Sequence, residues 1–305
     1  MTASLEWLTE QVAYIPAPVN TGILVAGKEA LIVDSGLDRD HANRILRILA
    51  DAALTPVGVL NTHSHADHCG GNLQLQKKLQ LPVAAPALEK PFVENPYLES
   101  FALFGGANPP DALQNKFLKA PPSQVRYDWH PDDGEFQYRD FQVTLVPLPG
   151  HSPQQTGLAF DGVLFAADAI LGKTYLDKHK IPFNGDVQQH RNSLERLEKT
   201  TYHYYVPGHG RALPHISEAV KRNREALDAI DEWLLAHTRT PMELETLLSV
   251  FCREEQVDME TIRQYFLYRT AFAAHLSALA ARNLVRHRVA DGRLQWQQQT
   301  DNLSR

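Results

Sequence analysis

The stretch Asn61-Thr62-His63-Ser64-His65-Ala66-Asp67-His68-Cys69-Gly70-Gly71 constrains this chain more than any other. It crowds three histidines and an aspartate into six residues, directly after the apolar run Val57-Gly58-Val59-Leu60. That run reads as a short buried strand, and the glycine pair feeding Asn72 to Gln80 reads as a turn into a helix. His63, His65, Asp67 and His68 are therefore expected on a strand-to-helix loop. Imidazoles suit zinc, iron and similar divalent ions, and a carboxylate lets two metals share charge. Such a loop can aim His63 and His65 at one ion and Asp67 and His68 at another, roughly 3.5–4 Å away as in two-metal hydrolases. The chain holds 14 histidines, so a polar loop enriched by chance is the alternative. The fixed offsets favour the metal site.

The segments around this loop alternate. Residues 22–36 place two β-rich runs on either side of Gly27-Lys28-Glu29, a hairpin pattern, and Asp34 closes the second run, where the residues alone read as a turn. Asp38 to Leu54 has helical spacing, and after a break at Pro56 the chain returns to strand. Phe141 to Val146 alternates as a strand and delivers Pro149-Gly150-His151. Thr156–Phe160 and Val163–Ala167 read as a hairpin whose outgoing strand ends at Asp168. A helix from about Val187 to Lys199 then leads to a strand ending at Pro207-Gly208-His209. Strands and helices in this order signal layered α/β architecture, with its site at the carboxyl ends of strands.

The HSHADH run stands in the pattern HxHxDH and resembles the signature of the metallo-β-lactamase-fold hydrolase superfamily, in its glyoxalase II-like and lactonase-like branch. His151 in LPGHS, Asp168 in LFAAD and His209 in VPGHG follow in the family's order. The resemblance covers roughly residues 10–212. It implies a four-layer αββα sandwich of class α/β over residues 1–212. It also implies two divalent ions per chain, zinc first, with iron or manganese as alternatives. By the family pattern, His63, His65 and His151 bind one ion, Asp67, His68 and His209 the second, and Asp168 both. A water bridging them is the expected nucleophile, with Asp67 also taking up a proton, and Asp34 supporting the ligand loop. An aspartate at the position of Asp168 argues against a true β-lactamase.

From Leu213 the pattern turns almost continuously helical, with segments 213–234, 241–251, 259–268 and 271–281, then a hairpin turning at Asp291-Gly292. Residues 213–305 thus resemble the small helical, winged-helix-like domain that some members carry. Its expected recognition helix, Thr270 to Ala281, holds no Lys or Arg, and its wing holds Arg286, Arg288 and Arg293. A cap or dimer surface is therefore expected rather than a DNA reader.

Residues 82–130 are rich in proline and aromatics without a clean period. They read as a long irregular insertion, either walling a pocket with Phe92, Tyr97, Phe101 and Phe104 or packed onto the scaffold. Their Lys90, Lys116, Lys119 and Arg126 are outnumbered by acidic residues, and the whole chain carries a net charge of −6. A nucleic-acid channel is disfavoured on both counts. Only Cys69 and Cys252 are present, so no disulfide framework is indicated, and Cys69 reads as a small buried side chain rather than a thiolate ligand. With no apolar stretch of membrane length and no leader-like N-terminus, a cytoplasmic protein without membrane contacts is expected. The function expected is metal-dependent hydrolysis of a small ester, thioester or lactone. The alternatives are a metal-dependent (ribo)nuclease or phosphodiesterase and a mononuclear iron persulfide dioxygenase.

Overall fold

The structure is a computed structural model describing residues 4–299; the outermost residues of the two expected domains, 1–3 and 300–305, lie outside it. A first sheet takes its strands in chain order: β1 (Glu6–Trp7), β2 (Val12–Ile15), β3 (Thr21–Ala26), β4 (Glu29–Val33), β5 (Thr55–Leu60), β6 (Val83–Pro86) and β7 (Val125–Trp129). Pairing is antiparallel up to β4 and parallel from β4 to β7. The parallel connections are filled by α1 (Arg39–Asp51), α2 (Ala66–Cys69), α3 (Asn72–Leu79), α4 (Lys90–Glu94) and α5 (Tyr97–Leu103). Asp38 caps α1, its carboxylate accepting from the backbone N–H groups of Asp40 and His41.

The second sheet comprises β8 (Glu135–Tyr138), β9 (Phe141–Pro147), β10 (Thr156–Phe160), β11 (Val163–Leu171) and β12 (Tyr204–His209), in the order β12-β11-β10-β9-β8. The helices α6 (Lys173–Lys178) and α7 (Val187–Glu198) connect β11 to β12, which pair in parallel. The chain closes with α8 (Ser217–His237), β13 (Met242–Glu243), α9 (Leu244–Glu254), α10 (Ile262–Ala281), β14 (Val285–Ala290) and β15 (Arg293–Gln298). Among the described residues no helix is long and apolar enough to cross a membrane.

Side-chain alternation builds the layers. On β2, Ala13 and Ile15 join the α1 residues Ala42, Ile45 and Leu49, whereas Val12 and Tyr14 face Phe141, Val143 and Leu145 of the second sheet. Both faces of the strands are therefore covered, which is why β2 is buried at every position. The outer face of the second sheet, with Leu164 and Ala166, packs on Leu194 of α7, Val220 and Leu227 of α8 and Ala278 of α10. The order helix, sheet, sheet, helix is the expected αββα sandwich, and the expected helical C-terminal segment covers one of its faces.

Several local expectations need correction. Asp67 and His68 sit on the one-turn helix α2 rather than on an open loop, because Ala66 to Gly70 closes one helical turn onto His65 and Ala66. Pro56 does not break the chain but lies inside β5, at a register shift that spares its missing N–H. The stretch 82–130 is not wholly irregular. It contains β6 and β7, short strands at the parallel end of the first sheet, whose brevity hides any period. The strand β11 does not end at Asp168 but runs to Leu171, interrupted by Ala167 at φ 46° and two register shifts. Residues 259–268 and 271–281 do not form separate helices. They merge into α10, capped by Thr261, so the helix expected to lack basic residues includes Arg263 and Arg269.

Candidate metal centre

The seven expected side chains come from both sheets and meet at one end of the sandwich. His63 and His65 follow β5, and α2 presents Asp67 and His68. The turn beyond needs glycine: a Cβ on Gly70 would lie 1.9 Å from the carbonyl oxygen of Leu37. His151 follows β9 through Gly150, whose φ of +128° and contact with the His190 backbone exclude a side chain. Asp168 stands within β11, and His209 ends β12. The two halves are tied directly. Thr156 donates its N–H to the Thr62 carbonyl (3.0 Å), and Asn20 donates its side-chain amide to the carbonyls of Pro207 (2.8 Å) and Gly210 (2.7 Å).

Four of the imidazoles are held by Nδ1, leaving Nε2 for the centre. His68 donates from Nδ1 to Asp34 (2.8 Å), His151 to the Phe183 carbonyl (2.9 Å) and His209 to the Pro18 carbonyl (2.7 Å). Asp34, at φ 60°, also accepts from the N–H (2.9 Å) and hydroxyl (2.8 Å) of Thr62. It is thus the supporting carboxylate rather than a plain turn residue. The Thr62 hydroxyl, spent on Asp34, accepts in turn from Nδ1 of His63 at 3.0 Å.

Asp168 lies at the middle of the cluster, with carboxylate oxygens 3.4 Å from Nε2 of His68, 3.4 Å from that of His151 and 3.3 Å from that of His209. Asp67 is 3.6 Å from His209, and His65 Nδ1 faces His151 Nε2 at 2.9 Å. At most one of those two nitrogens carries a hydrogen directed at the other. Nε2 of His63, Nε2 of His68 and Oδ1 of Asp168 are buried without a hydrogen-bond partner. Buried polar atoms left so are rare and need an explanation. A cation supplies one, since the donor atoms of His63, His65 and His151, of His63, His68 and Asp168, and of Asp67, His68 and His209 each lie within 4.8 Å of one another. The residues present fit divalent metal.

The electrostatics split the cluster. Burial holds His63 well below the ordinary imidazole value and His151 down at about 4. Burial also pushes His68 and His209 down, but Asp168 and Asp34 together outweigh it at His68, and Asp168 and Asp67 at His209, raising His68 well above the ordinary value and His209 to about 9. For Asp168, burial opposes ionisation, yet His209 and His68 hold its carboxyl well below the usual range. The neutral imidazoles are ready ligands, and the carboxylate is ready to share.

A cleft of about 210 Å³ opens over the centre, walled by Phe117, Leu118, Tyr175, Phe183 and Leu267, with Arg263 of α10 at its rim. A second, more apolar recess of about 180 Å³ shares His65, Glu99, His151 and Phe183 with it. Of the four aromatics expected as walls, only Phe92 lines this space. Tyr97 and Phe101 of α5 pack on each other, and Phe104, just beyond α5, packs on Phe266 of α10. The true walls come partly from segments 171–185 and 262–270, whose aromatic content alone gives no sign of it. Burial and Glu89 push the Glu99 carboxyl, 4.0 Å from His65, up to about 7. Cys69 is buried and donates its thiol to the Ser64 carbonyl (3.1 Å), with burial pushing its pKa up, so it is no thiolate.

The sequence model of the metallo-beta-lactamase superfamily matches residues 14–209, a span that holds all seven side chains. The chain belongs to the metallo-β-lactamase superfamily. Within it, 169 residues are 40% identical to a hydroxyacylglutathione hydrolase of Nitrosomonas europaea, covering 55% of this chain and 50% of that protein. A 138-residue stretch is 27% identical to a probable metallo-hydrolase of Bacillus subtilis, covering 45% and 58%. The matches thus span about half the length of these curated relatives. In fold, the chain is similar to a β-lactamase domain protein from Burkholderia ambifaria, with a TM-score of 0.71 at 21% identity over 97% of this chain and 93% of that one. A metallo-β-lactamase family protein from Thermus thermophilus gives the same score and identity over 96% and 100%. These superfamily structures therefore share the C-terminal segment as well as the sandwich.

Proposed function

We propose that the chain is a metal-dependent hydrolase of small esters, thioesters or lactones. His63, His65 and His151 would hold one divalent ion, Asp67, His68 and His209 a second, and Asp168 would serve both, with zinc the metal best suited to this donor set. Such ions supply Lewis acidity at a carbonyl and a water nucleophile at neutral pH. The observation that carries the reading is the cleft itself. It is small and largely apolar, and among the described residues Arg263 is the single Lys or Arg on its walls. Cleft walls of this kind accommodate an acyl group, whereas a nucleic-acid track needs repeated cations along the backbone path. Of Lys173, Lys178 and Lys180, near Asp168 in sequence, Lys173 and Lys180 are engaged by Asp177 and Glu255, and Lys178 lines neither recess.

Each residue then has a task. Arg263, resting 4.8 Å over the Phe117 ring, orients an anionic end of the substrate. Phe183 and Leu267 exclude water from the acyl group. Asp67, with a third of its side chain exposed, accepts a proton at the open face of the cluster. The hydroxyacylglutathione hydrolase name carried by the Nitrosomonas europaea relative supports a thioester in particular. The deciding experiment is metal analysis of protein purified without added metal, followed by turnover of a panel of thioesters, lactones and phosphodiesters. Metal-dependent thioester or lactone hydrolysis is expected. Cleavage of single-stranded RNA alone would install the nuclease reading, and one iron per chain with persulfide-dependent oxygen uptake the dioxygenase reading.

A further inference from the structure

Glu89 belongs to no motif, and it is fully buried. It enters from the turn between β6 and α4, in the stretch that shows least pattern in the sequence. Its two oxygens are divided between the two ligand loops. Oε2 accepts from the backbone N–H (3.1 Å) and hydroxyl (2.5 Å) of Ser64, which stands between His63 and His65. Oε1 accepts from the hydroxyl of Ser152 (2.7 Å), next to His151, and from the backbone N–H of Gln154 (2.8 Å). All four donors are neutral. Among the described residues no Lys, Arg or His nitrogen lies within 4.0 Å of this carboxylate.

A buried carboxylate with four hydrogen bonds and no cation is an unfinished arrangement, since its desolvation is only partly offset by neutral donors. The set His63, His65 and His151 has the opposite shortage: its three imidazoles bring no negative charge to a divalent ion, and the Asp168 carboxylate beside them is shared with His68 and His209. The carboxylate and the imidazole set meet through Ser64 and Ser152, and they balance each other when an ion is held between the histidines.

We propose that Glu89 is the positioning residue of the three-imidazole set: it spans the loops bearing His65 and His151, fixes their separation, and adds negative charge beside a set whose own carboxylate, Asp168, is shared with the second ion. This rests on the metal-binding reading above. Supporting groups of this kind change metal affinity by roughly 10–100-fold when removed. The effect should fall on one binding step and spare the other, because Asp67, His68 and His209 receive no bond from Glu89.

The test uses the full chain, stripped by chelator and titrated with Co²⁺, following stoichiometry by calorimetry and ligand geometry by visible absorption. Glu89→Gln keeps the shape and removes the charge. With its circular dichroism unchanged, it is expected to weaken one Co²⁺ step by roughly 10–100-fold and alter that step's absorption, leaving the other within about threefold. Ser152→Ala, which removes one donor and keeps the charge, should weaken the same step by less. A folded Glu89→Gln with both steps unchanged, or both weakened equally, overturns the proposal. Should Glu89→Gln not fold, the double variant Ser64→Ala/Ser152→Ala decides in its place: selective weakening supports the proposal, and two unchanged steps overturn it. A wild type that takes up no Co²⁺ instead defeats the metal-binding reading itself.

Discussion

His68 is bound to Asp34 from Nδ1 to Oδ2 at 2.8 Å, and this one contact decides which imidazole nitrogen faces the cleft. Asp34→Asn keeps a residue tolerant of φ 60° but removes the charge that orients and enriches the ring. Affinity for the divalent ion of the set Asp67, His68 and His209 should fall roughly 10–100-fold, as read by competition against a chromophoric chelator. An unchanged affinity would reduce Asp34 to a structural turn residue.

Purified protein is expected to carry two divalent ions per chain, and Asp168→Ala or His209→Ala should lower this sharply. Asp168 touches His68, His151 and His209, so its loss affects both sets of donors. Mass-spectrometric metal analysis checks the count. A single ion, insensitive to His68→Ala, would favour the mononuclear alternative.

Gly208→Ala should abolish tight metal binding while leaving the fold. A Cβ there would lie 1.9 Å from Oδ1 of Asp168 and 3.0 Å from the His68 ring, so the carboxylate must swing away. Thermal unfolding should show a loss of about 1–3 kcal/mol from overpacking. Wild-type metal affinity in this variant would mean that Asp168 is not held where the structure places it.

Asp231 joins α7, α8 and α10, accepting from His275 (2.7 Å), Arg191 (2.9 Å) and Arg282 (2.7 Å). Burial alone would raise its pKa, but His275 and the two arginines outweigh burial and lower it. The unfolded chain therefore binds the proton more readily, so this carboxylate stabilises the fold above its unfolded value near 3.9. That stability disappears as pH falls through the lower folded value. Asp231→Asn should lose on the order of 3 kcal/mol at pH 7 and flatten the acid limb of the stability curve. Denaturant titrations at pH 7 and pH 3 measure both; an equal loss at the two values would show that the charge is not what matters.

The C-terminal segment should not bind duplex DNA in a salt-sensitive way. On α10, Arg263 turns into the cleft and Arg269 pairs with Glu245, while Arg293 of the hairpin pairs with Glu243. That leaves few free cations for phosphates. Gel-shift assays with and without Arg286→Ala and Arg288→Ala would reveal the contrary.

What was legible in the chain follows from how each residue carries its signal. His63 to His68 announce themselves because a metal site needs donors at fixed offsets in one short segment. The strands β3 and β4 show as β-rich apolar runs, and β9 shows its alternation plainly. Asp34 is only half legible: a strand-end aspartate is common, and its partners Thr62 and His68 become neighbours only after parallel pairing of β4 with β5. Glu89 has no local signal at all, since its four donors lie 25 to 65 residues away in sequence. Tyr175, Phe183 and Arg263 reach the cleft by tertiary packing, which no periodicity encodes. The strands β6 and β7 stay hidden because four or five residues are too few to establish a period.

The donors of the centre are split between the two sheets: those after β5 belong to the first, while His151, Asp168 and His209 belong to the second. An ion gripped from both sides can leave only when the sheets part at that end, or when one ligand loop detaches. The escape rate of the metal into excess chelator is therefore a clock for the opening of the sandwich. Loosening the seam elsewhere, for instance at Asn20, should make that clock run faster without touching a single ligand.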